Sequence, residues 1–513
     1  MPTALLSVFD KTGLLPLAQG LKEMGWHLLA TGGTLKALRD ARIEVQEVAE
    51  YTGAPECFEG RVKTLHPRIH GGLLYRREET SHVEDARRLG IDPIDLVVVN
   101  LYPFEATIAR EGVSFEDCIE QIDIGGPSML RSAAKNHASV TVLTDPADYD
   151  IFIEKSKNGT WGIEDRRRCA LQVYQRTATY DAAIAAWFAE RLGEESPEPP
   201  KRISLGLARK QSLRYGENPH QSAGFYTRPG KDAEGLAACT QLQGKELSFN
   251  NLLDADATAK LAWQFQESAC VIVKHNNPCG VALADSPLEA FQKALASDPM
   301  SAFGGIVAFN RVVDGAIAQA LAPTFWEVIL APDFTEEALA VLKAKPSLRL
   351  LKTASGWPSG VNGMDVRSIG GGFLVQHPDD QFVPPAQWEL KAEGKAPRPS
   401  DRDLVLAQTV AKALKSNAIS LVRDGGTVGA GAGQMSRVDS VDIACRKAGD
   451  RARGAVLGSD AFFPFADGLE LAVQHGVTAI VEPGGSNRDA EVIEAAQRLG
   501  VWLFFTGMRH FKH

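Results

Sequence analysis

The seven cysteines of this 513-residue chain (Cys57, Cys118, Cys169, Cys239, Cys270, Cys279 and Cys445) include no C-x-x-C pair and no regular ladder. That argues against a disulfide scaffold and a cysteine-built zinc framework, and points to scattered thiols in a reducing compartment. No apolar run approaches the length that spans a bilayer. The apolar start ALLSVF is too short for the core of a secretory leader, so a cytoplasmic protein without a membrane partner is expected. Positive charge is in deficit: 55 Lys and Arg against 64 Asp and Glu leave −9, which disfavours a nucleic-acid partner. A phosphorylated small molecule stays within reach, because a few local cations and a helix N-terminus hold one phosphate. The remaining composition, 44% hydrophobic and 23% charged, is that of an ordinary globular protein with room for two to four domains.

Organisation follows from hydrophobic rhythm. ALLSVF, HLLA, DLVVVN and SVTVLT read as short buried strands, with a helix over Thr12 to Met24 and another opening at TGGT and running through Leu38. This alternation implies a doubly wound parallel sheet covered on both faces. A long helix over Glu164 to Leu192 closes the first domain, residues 1–195. The Pro- and charge-rich Gly193 to Arg202 reads as a linker, and a second domain occupies 203–513. The second domain echoes itself: the strand VIVKH, a helix, Ser297-Asp298, a Phe-Gly cluster and IVAF stand against AISLV, a glycine loop, Ser459-Asp460, a Phe cluster and TAIV. Two related α/β subdomains are expected, joined by a Pro- and Gly-containing stretch starting near Trp388.

Polar groups gather in two constellations. In the first, SVFDKTG (Ser7 to Gly13), TGGT (Thr31 to Thr34), GRVKTLHP (Gly60 to Pro67), NLYPF (Asn100 to Phe104) and IDIGG (Ile122 to Gly126) follow strands or open helices. TGGT offers free backbone N–H groups to an anion, with Lys11, Arg61 and Lys63 as charged helpers; a plain turn is the competing reading. His66 and His70 are spaced i, i+4, but Pro67 between them makes a regular helix, and hence a metal pair, unexpected. Lys135, ending an amphipathic helix, reads on pattern alone as a dipole or surface lysine.

The second constellation centres on VIVKHNNPCG (Val271 to Gly280). An apolar, β-branched run ends in Lys274 and His275, a cation beside an imidazole at a strand end. Such a pair suits acyl-type transfer, with a base near neutrality and a stabiliser of developing negative charge, although a polar strand cap is the bland alternative. Phe462, Phe463, Pro464 and Phe465 form core or line a slot for a flat ligand. GAGAGQ is a candidate phosphate loop without the Lys-Ser/Thr ending of a P-loop. Pro278-Cys279 is half of the zinc-deaminase signature P-C-x-x-C, but Ala282 stands where the second cysteine would, so a deaminase-like fold without zinc fits.

Taken together, SVFDKTG, TGGT, GRVKTLHP, NLYP, QIDIGG and AAKNHA, followed by LRYGENPHQ, VKHNNPCG, DPMSAFGG, GAGAGQMSR and SDAFFPF, resemble in order the bifunctional enzymes that join phosphoribosylaminoimidazolecarboxamide formyltransferase to IMP cyclohydrolase. The resemblance implies a methylglyoxal-synthase-like N-terminal domain and two cytidine-deaminase-like subdomains without catalytic zinc. It implies formyl transfer from 10-formyltetrahydrofolate to the carboxamide ribonucleotide, then dehydrative closure to IMP. For the transfer it implies His275 as base, Lys274 as oxyanion stabiliser and Asn417 at the substrate, with Arg214, Tyr215, Gly304, Glu327, Arg437 and Arg509 on the nucleotide. Val438, Phe462, Asp467, Ser486 and Asn487 fall on the folate side. For ring closure it implies Lys135 as proton carrier, helped by Lys63, Tyr102 and Asp123. Lys11, Thr31, Gly32, Gly33, Thr34, Arg61, Thr64 and Asn100 would hold that nucleotide. A homodimer and a structural K+ ion, with no catalytic metal, are further implications. Glu327 and Gly468 depart from members that carry Asp and Asn at those places. A nucleotide-sensing module without turnover is the alternative, against which the joint presence of Lys63, Tyr102 and Lys135 argues; a zinc hydrolase fails on its ligands.

Overall fold

The computed structural model describes residues 1–192, 199–230, 234–353 and 364–513. Two compact units result, Met1–Ala208 with Thr227–Lys231, and Arg209–Tyr226 with Asp232–His513. Of the expected linker, residues 193–198 lie outside the described residues.

The first unit is built on β1 (Thr3–Val8), β2 (His27–Ala30), β3 (Gln46–Glu47), β4 (Leu96–Asn100) and β5 (Thr141–Leu143), all parallel, in the order β3-β2-β1-β4-β5. Leu5, Leu6, Leu29, Val97 and Val98 are completely buried, because helices cover both faces and a strand enclosed on both sides needs an unbroken apolar run. Strand order reverses between β1 and β4, so a crevice opens beyond their carboxyl ends, where the loops after β1 and β4 lie side by side. The 30-residue helix Ile163–Leu192 packs across this unit, and its Trp187 lies against the rings of Phe104 and Phe115.

In the second unit β6 (Ala208–Leu213) and β7 (Ala223–Thr227) form a ribbon, as do β14 (Asp365–Ile369) and β15 (Gly372–Gln376). Among the described residues the main sheet has twelve strands: β8 (Thr240–Gln243), β9 (Ser268–Lys274), β10 (Asn277–Ala284), β11 (Gly305–Phe309), β12 (Trp326–Ala331), β13 (Arg349–Lys352), β16 (Glu389–Ala392), β17 (Ile419–Arg423), β18 (Gly426–Gly431), β19 (Val456–Ser459), β20 (Ala479–Glu482) and β21 (Trp502–Phe505). Their order is β16-β21-β20-β19-β17-β18-β10-β9-β11-β12-β13-β8, which is one pattern used twice. The hairpin β9–β10 is flanked by antiparallel β11, then parallel β12 and β13, then antiparallel β8. The hairpin β17–β18 is flanked in the same way by β19, β20, β21 and β16. β10 and β18 join the copies, Ala282 opposite Gly426.

This repeat corrects the expected register of the echo. The partner of Ser459-Asp460 is Phe309-Asn310, not Ser297-Asp298: Ala269 N donates to Asn310 Oδ1 (2.9 Å) as Ala418 N donates to Asp460 Oδ1 (3.1 Å). Ser297 ends the helix Pro287–Ser297 instead. β10, carrying Pro278 and Gly280, lies where the sequence predicts a direct step from strand to helix. The glycine loop is likewise a strand: Gly429 and Gly431 belong to β18 because the helix Arg437–Ala448 lies on them, and a Cβ would come within 2.2 Å of Ala444 O and 2.0 Å of Ser440 O. In the first copy a Cβ on Gly280 would come within 2.1 Å of Ala294 O. GAGAGQ is therefore a close-packing device rather than a phosphate loop. The stretch after Trp388 is no plain link either, since Glu389–Ala392 is the edge strand β16.

Candidate functional site

In the first unit the loops beyond β1 and β4 are tied together by Asn100. Its Oδ1 accepts from the N–H groups of Phe9 (2.5 Å) and Asp10 (2.9 Å), and its Nδ2 donates to Asp10 O (2.9 Å). Asn100 thus shapes the loop with all its groups engaged. Thr34 does likewise, accepting from Val8 N (2.9 Å) and donating to Val8 O (3.0 Å) while buried.

The helix Gly32–Asp40 opens toward this loop with Thr31 extended before it and no side-chain cap, leaving its first N–H groups free for a ligand. Two ammonium groups converge there. A Cβ on Gly32 would lie 3.5 Å from Lys63 Nζ, and one on Gly33 would lie 3.8 Å from Lys11 Nζ. Lys11 is held by the carbonyls of Val8 and Phe9, and burial pushes its pKa down. Lys63 also pairs with Glu56 (3.2 Å), and Arg61 pairs with Glu120.

Asp123 stands just before the helix Gly125–Lys135, accepting from Gly126 N (2.8 Å) and Tyr102 N (3.4 Å). Tyr180 OH fixes the same turn, accepting from Asp123 N (2.9 Å) and donating to Gln121 O (3.0 Å). Burial raises the Asp123 carboxyl, and the two N–H donors pull it back. Thr64 Oγ1 lies against Gly125, 2.8 Å from where a Cβ would be. Lys11, Lys63, Thr64, Tyr102 and Asp123 therefore belong to one loop system. Lys135 does not join them within the chain: it ends the helix that Asp123 precedes, about 15 Å along its axis. His66 and His70 do not lie in the irregular loop expected from Pro67. Pro67 opens a regular helix, Pro67–Leu74, with His66 as its cap and His70 Nδ1 bonded to Ser132 Oγ (3.0 Å).

In the second unit Lys274 ends β9, and His275-Asn276 is a two-residue turn, since Asn277 pairs back to Lys274. Both turn residues have positive φ (52° and 59°), as a tight type I′ hairpin requires. Neither is glycine, so the turn needs support, and Asp254 provides it. Asp254 Oδ2 accepts from His275 N (3.2 Å) and Oδ1 from Asn276 N (2.7 Å). Lys274 Nζ donates to Phe303 O (2.5 Å), beside Gly304 with its φ of 72°. Asn277 Oδ1 accepts from Lys415 N (3.0 Å), which brings the turn to the segment that carries Asn417.

Asn417 opens a cleft of about 410 Å³, lined also by Val438, Phe462, Phe465, Asp467 and Phe511. Its Nδ2 donates to Gln434 O (2.9 Å) and Met435 O (3.1 Å), and its Oδ1 accepts from Arg437 (2.7 Å). Arg437 is buried against Asp460, which has no exposure, and also donates to Ser459 Oγ (2.8 Å). Its guanidinium is thus largely committed to the cleft wall. Arg509 lies over Phe511 (4.4 Å) and Arg488 over Phe465 (4.7 Å) at the rim. Ser486 accepts from Arg488 N (3.1 Å), so it shapes the loop that carries Arg488; neither Ser486 nor Asn487 lines the cleft. Arg214 and Tyr215 stack on each other (5.5 Å), outside the cleft lining. Glu327 pairs with Arg349 (2.7 Å). At Gly468 a Cβ would stand 2.6 Å from the Phe463 ring, so the ring fills the room an Asn side chain would take. Cys279 is a half-buried thiol with its pKa pushed up to about 12, and among the described residues no group of three His, Cys, Asp or Glu is placed to hold a metal.

The sequence reading missed Asp254 and Asn250. Both lie on the helix Phe249–Ala262, four residues apart and so on one face. No sequence signal sets the pair apart, because Asn251, Asp256, Thr258 and Lys260 lie on the same helix.

The sequence matches the AICARFT/IMPCHase bienzyme family over residues 133–447 and the MGS-like domain over residues 13–128. It is 52% identical to the bifunctional purine biosynthesis protein PurH of Desulfitobacterium hafniense over 518 residues, covering 99% of each chain. The PurH proteins of Magnetococcus marinus (49%, 99% of each chain) and Sorangium cellulosum (51%, 99% of each chain) are similar to it over the same extent. No helix among the described residues is long and apolar enough to cross a membrane.

Proposed function

The chain belongs to the AICARFT/IMPCHase bienzyme family, and from that premise we propose how its two activities divide between the two units. It is a bifunctional enzyme of purine biosynthesis, a phosphoribosylaminoimidazolecarboxamide formyltransferase and an IMP cyclohydrolase. The second unit carries the transfer from 10-formyltetrahydrofolate. The observation that carries this reading is the bond from Lys415 N to Asn277 Oδ1, which sets the His275 turn and the Asn417 cleft at one end of the central strands.

There the aromatic amine of the carboxamide nucleotide attacks the formyl carbon. His275 takes the amine proton, Lys274 stabilises the oxyanion, and the bond to N10 of the folate breaks as that nitrogen gains a proton. Phe462 and Phe465 would take the flat folate ring, with Val438 and Asp467 beside it. Arg214, Gly304, Glu327 and Arg509 would contact the nucleotide, and Arg437 would act on it through Asn417. The repeated strand order supports two cytidine-deaminase-like subdomains, and a homodimer with shared transfer sites belongs to the same reading.

The first unit carries ring closure. The phosphate would sit at Gly32 and Gly33 between Lys11 and Lys63. Holding the formyl carbon against the carboxamide nitrogen does most of the work, since the reaction is intramolecular. That nitrogen attacks, the C–N bond forms, and water leaves, with Lys63, Tyr102 and Asp123 moving protons. For Lys135 the support is the match of the AAKNHA segment. Lys135→Ala tests it: lost cyclisation places Lys135 in the reaction, and retained cyclisation assigns the proton transfers to the other three. For the division as a whole, Lys63→Ala is expected to accumulate the formylated intermediate and His275→Ala to form none. Loss of both steps in either variant contradicts it.

A further inference from the structure

We infer that the helix Phe249–Ala262 is the positioning element of the formyl-transfer site, and that Asp254 is its working residue: its carboxylate holds the His275 turn in the left-handed backbone from which the imidazole projects. The inference rests on the reading of His275 as the base. Three observations on one helix face carry it. Asp254 Oδ2 and Oδ1 accept the N–H groups of His275 (3.2 Å) and Asn276 (2.7 Å), one oxygen to each residue. Those two residues have φ of 52° and 59°, a region that side-chain-bearing residues occupy only when the surroundings hold them there. One helical turn earlier, Asn250 Nδ2 donates to Glu217 O (3.2 Å), in the loop that carries Arg214 and Tyr215.

The helix itself is firmly seated. Ser248 and Asn251 form a reciprocal capping box at its start, and Ala255, Thr258, Ala259 and Ala262 are buried behind it. A rigid helix thus grips the base turn with one side chain and the arginine loop with another. Burial raises the Asp254 carboxyl, while the two N–H donors and the nearby imidazole pull it back. Because Asp254 meets the turn only through backbone N–H groups, it is a positioning residue, and a glycine in the turn should replace part of what it does. Glycine adopts positive φ without steric cost.

The test is formyl transfer measured with the carboxamide ribonucleotide and 10-formyltetrahydrofolate, and cyclisation of supplied formylated nucleotide measured in parallel. Asp254→Ala is expected to lower kcat for transfer about 10- to 100-fold at nearly constant KM, because a misplacement of about 1 Å costs that much. Cyclisation in the first unit should be unchanged, and the nearly constant KM for transfer reports a folded second unit. Adding Asn276→Gly to Asp254→Ala is expected to restore part of the lost kcat, and Asp254→Asn, with one acceptor oxygen left, should fall between wild type and Asp254→Ala. Full transfer activity in Asp254→Ala, or a loss that Asn276→Gly does not relieve in the double variant, overturns the inference. His275→Ala separates the premise: transfer surviving in that variant removes His275 as the base, whatever Asp254 does.

Discussion

The two copies of the strand pattern in the second unit differ at the slot that follows β11 and β19. In the first, Asn310 accepts from Ala269 N and donates to the carbonyls of Phe265 (2.9 Å) and Glu267 (2.8 Å), so a neutral amide closes the strand edge with backbone partners alone. In the second, the same slot holds Asp460. A buried carboxylate needs donors, and it takes them from Ala418 N, Ser416 Oγ (2.5 Å) and the guanidinium of Arg437. Arg437 then draws in Asn417, and the cleft opens along that wall. One atom's difference, nitrogen or oxygen, goes with a closed strand end in one copy and a cleft wall in the other. A second slot repeats the lesson. Ala331 ends β12, while Glu482 ends β20 at the equivalent register, fully buried, with Oε2 accepting from Phe463 N (2.6 Å) behind the aromatic cluster.

Exchanging these slots breaks the comparison in graded ways. Asp460→Asn gives the second copy the amide of the first and strands the Arg437 charge in the core. Chemical unfolding is expected to show a loss of about 3–5 kcal/mol, together with loss of formyl transfer. Asn310→Asp does the reverse, aiming a carboxylate at two carbonyl oxygens. It should cost about 1–3 kcal/mol, more at pH 8 than at pH 5, by the same measurement. Glu482→Gln sharpens the second slot. Burial raises the Glu482 pKa to about 8, above its ordinary 4.5, so the unfolded chain loses the proton first as pH rises. Stability is then lost progressively from about pH 4.5 to about pH 8. Glutamine does not titrate, and the variant should match the parent near pH 4 and exceed it by at most about 3 kcal/mol at pH 7 in paired unfolding curves. Glu327→Ala, which removes a half-exposed partner of Arg349, should cost less than about 1 kcal/mol.

What the sequence discloses and what it hides follow from the physics of each segment. β1, β2, β4, β9, β11, β17 and β20 are apolar runs enclosed on both faces, and such runs are readable without tertiary information. β10 and β18 are not, because Pro278, Gly280, Gly429 and Gly431 mimic turns while serving close helix packing. The echo between the copies was legible, yet Ser297-Asp298 drew it out of register, since only the pairing of Ala269 with Asn310 and of Ala418 with Asp460 fixes the alignment. Lys274 and His275 stand out as a charged end to an apolar run. Asp254 does not, because its partners are backbone N–H groups that carry no sequence signature. Asn100 and Thr34 stand out only as candidates for the ligand, and their part in shaping the β1 loop needs the fold to be seen. Lys135 shows the converse case, a residue marked by a motif whose helix places it at the far end from Asp123.

The most direct test of the two-site account follows the formylated intermediate and IMP over time, in wild-type protein and in His275→Ala given either the unformylated or the formylated nucleotide. The account predicts that His275→Ala forms no intermediate from the carboxamide ribonucleotide and 10-formyltetrahydrofolate, yet converts supplied formylated nucleotide to IMP at the wild-type rate. Formylation surviving in His275→Ala, or cyclisation lost with it, would contradict the account.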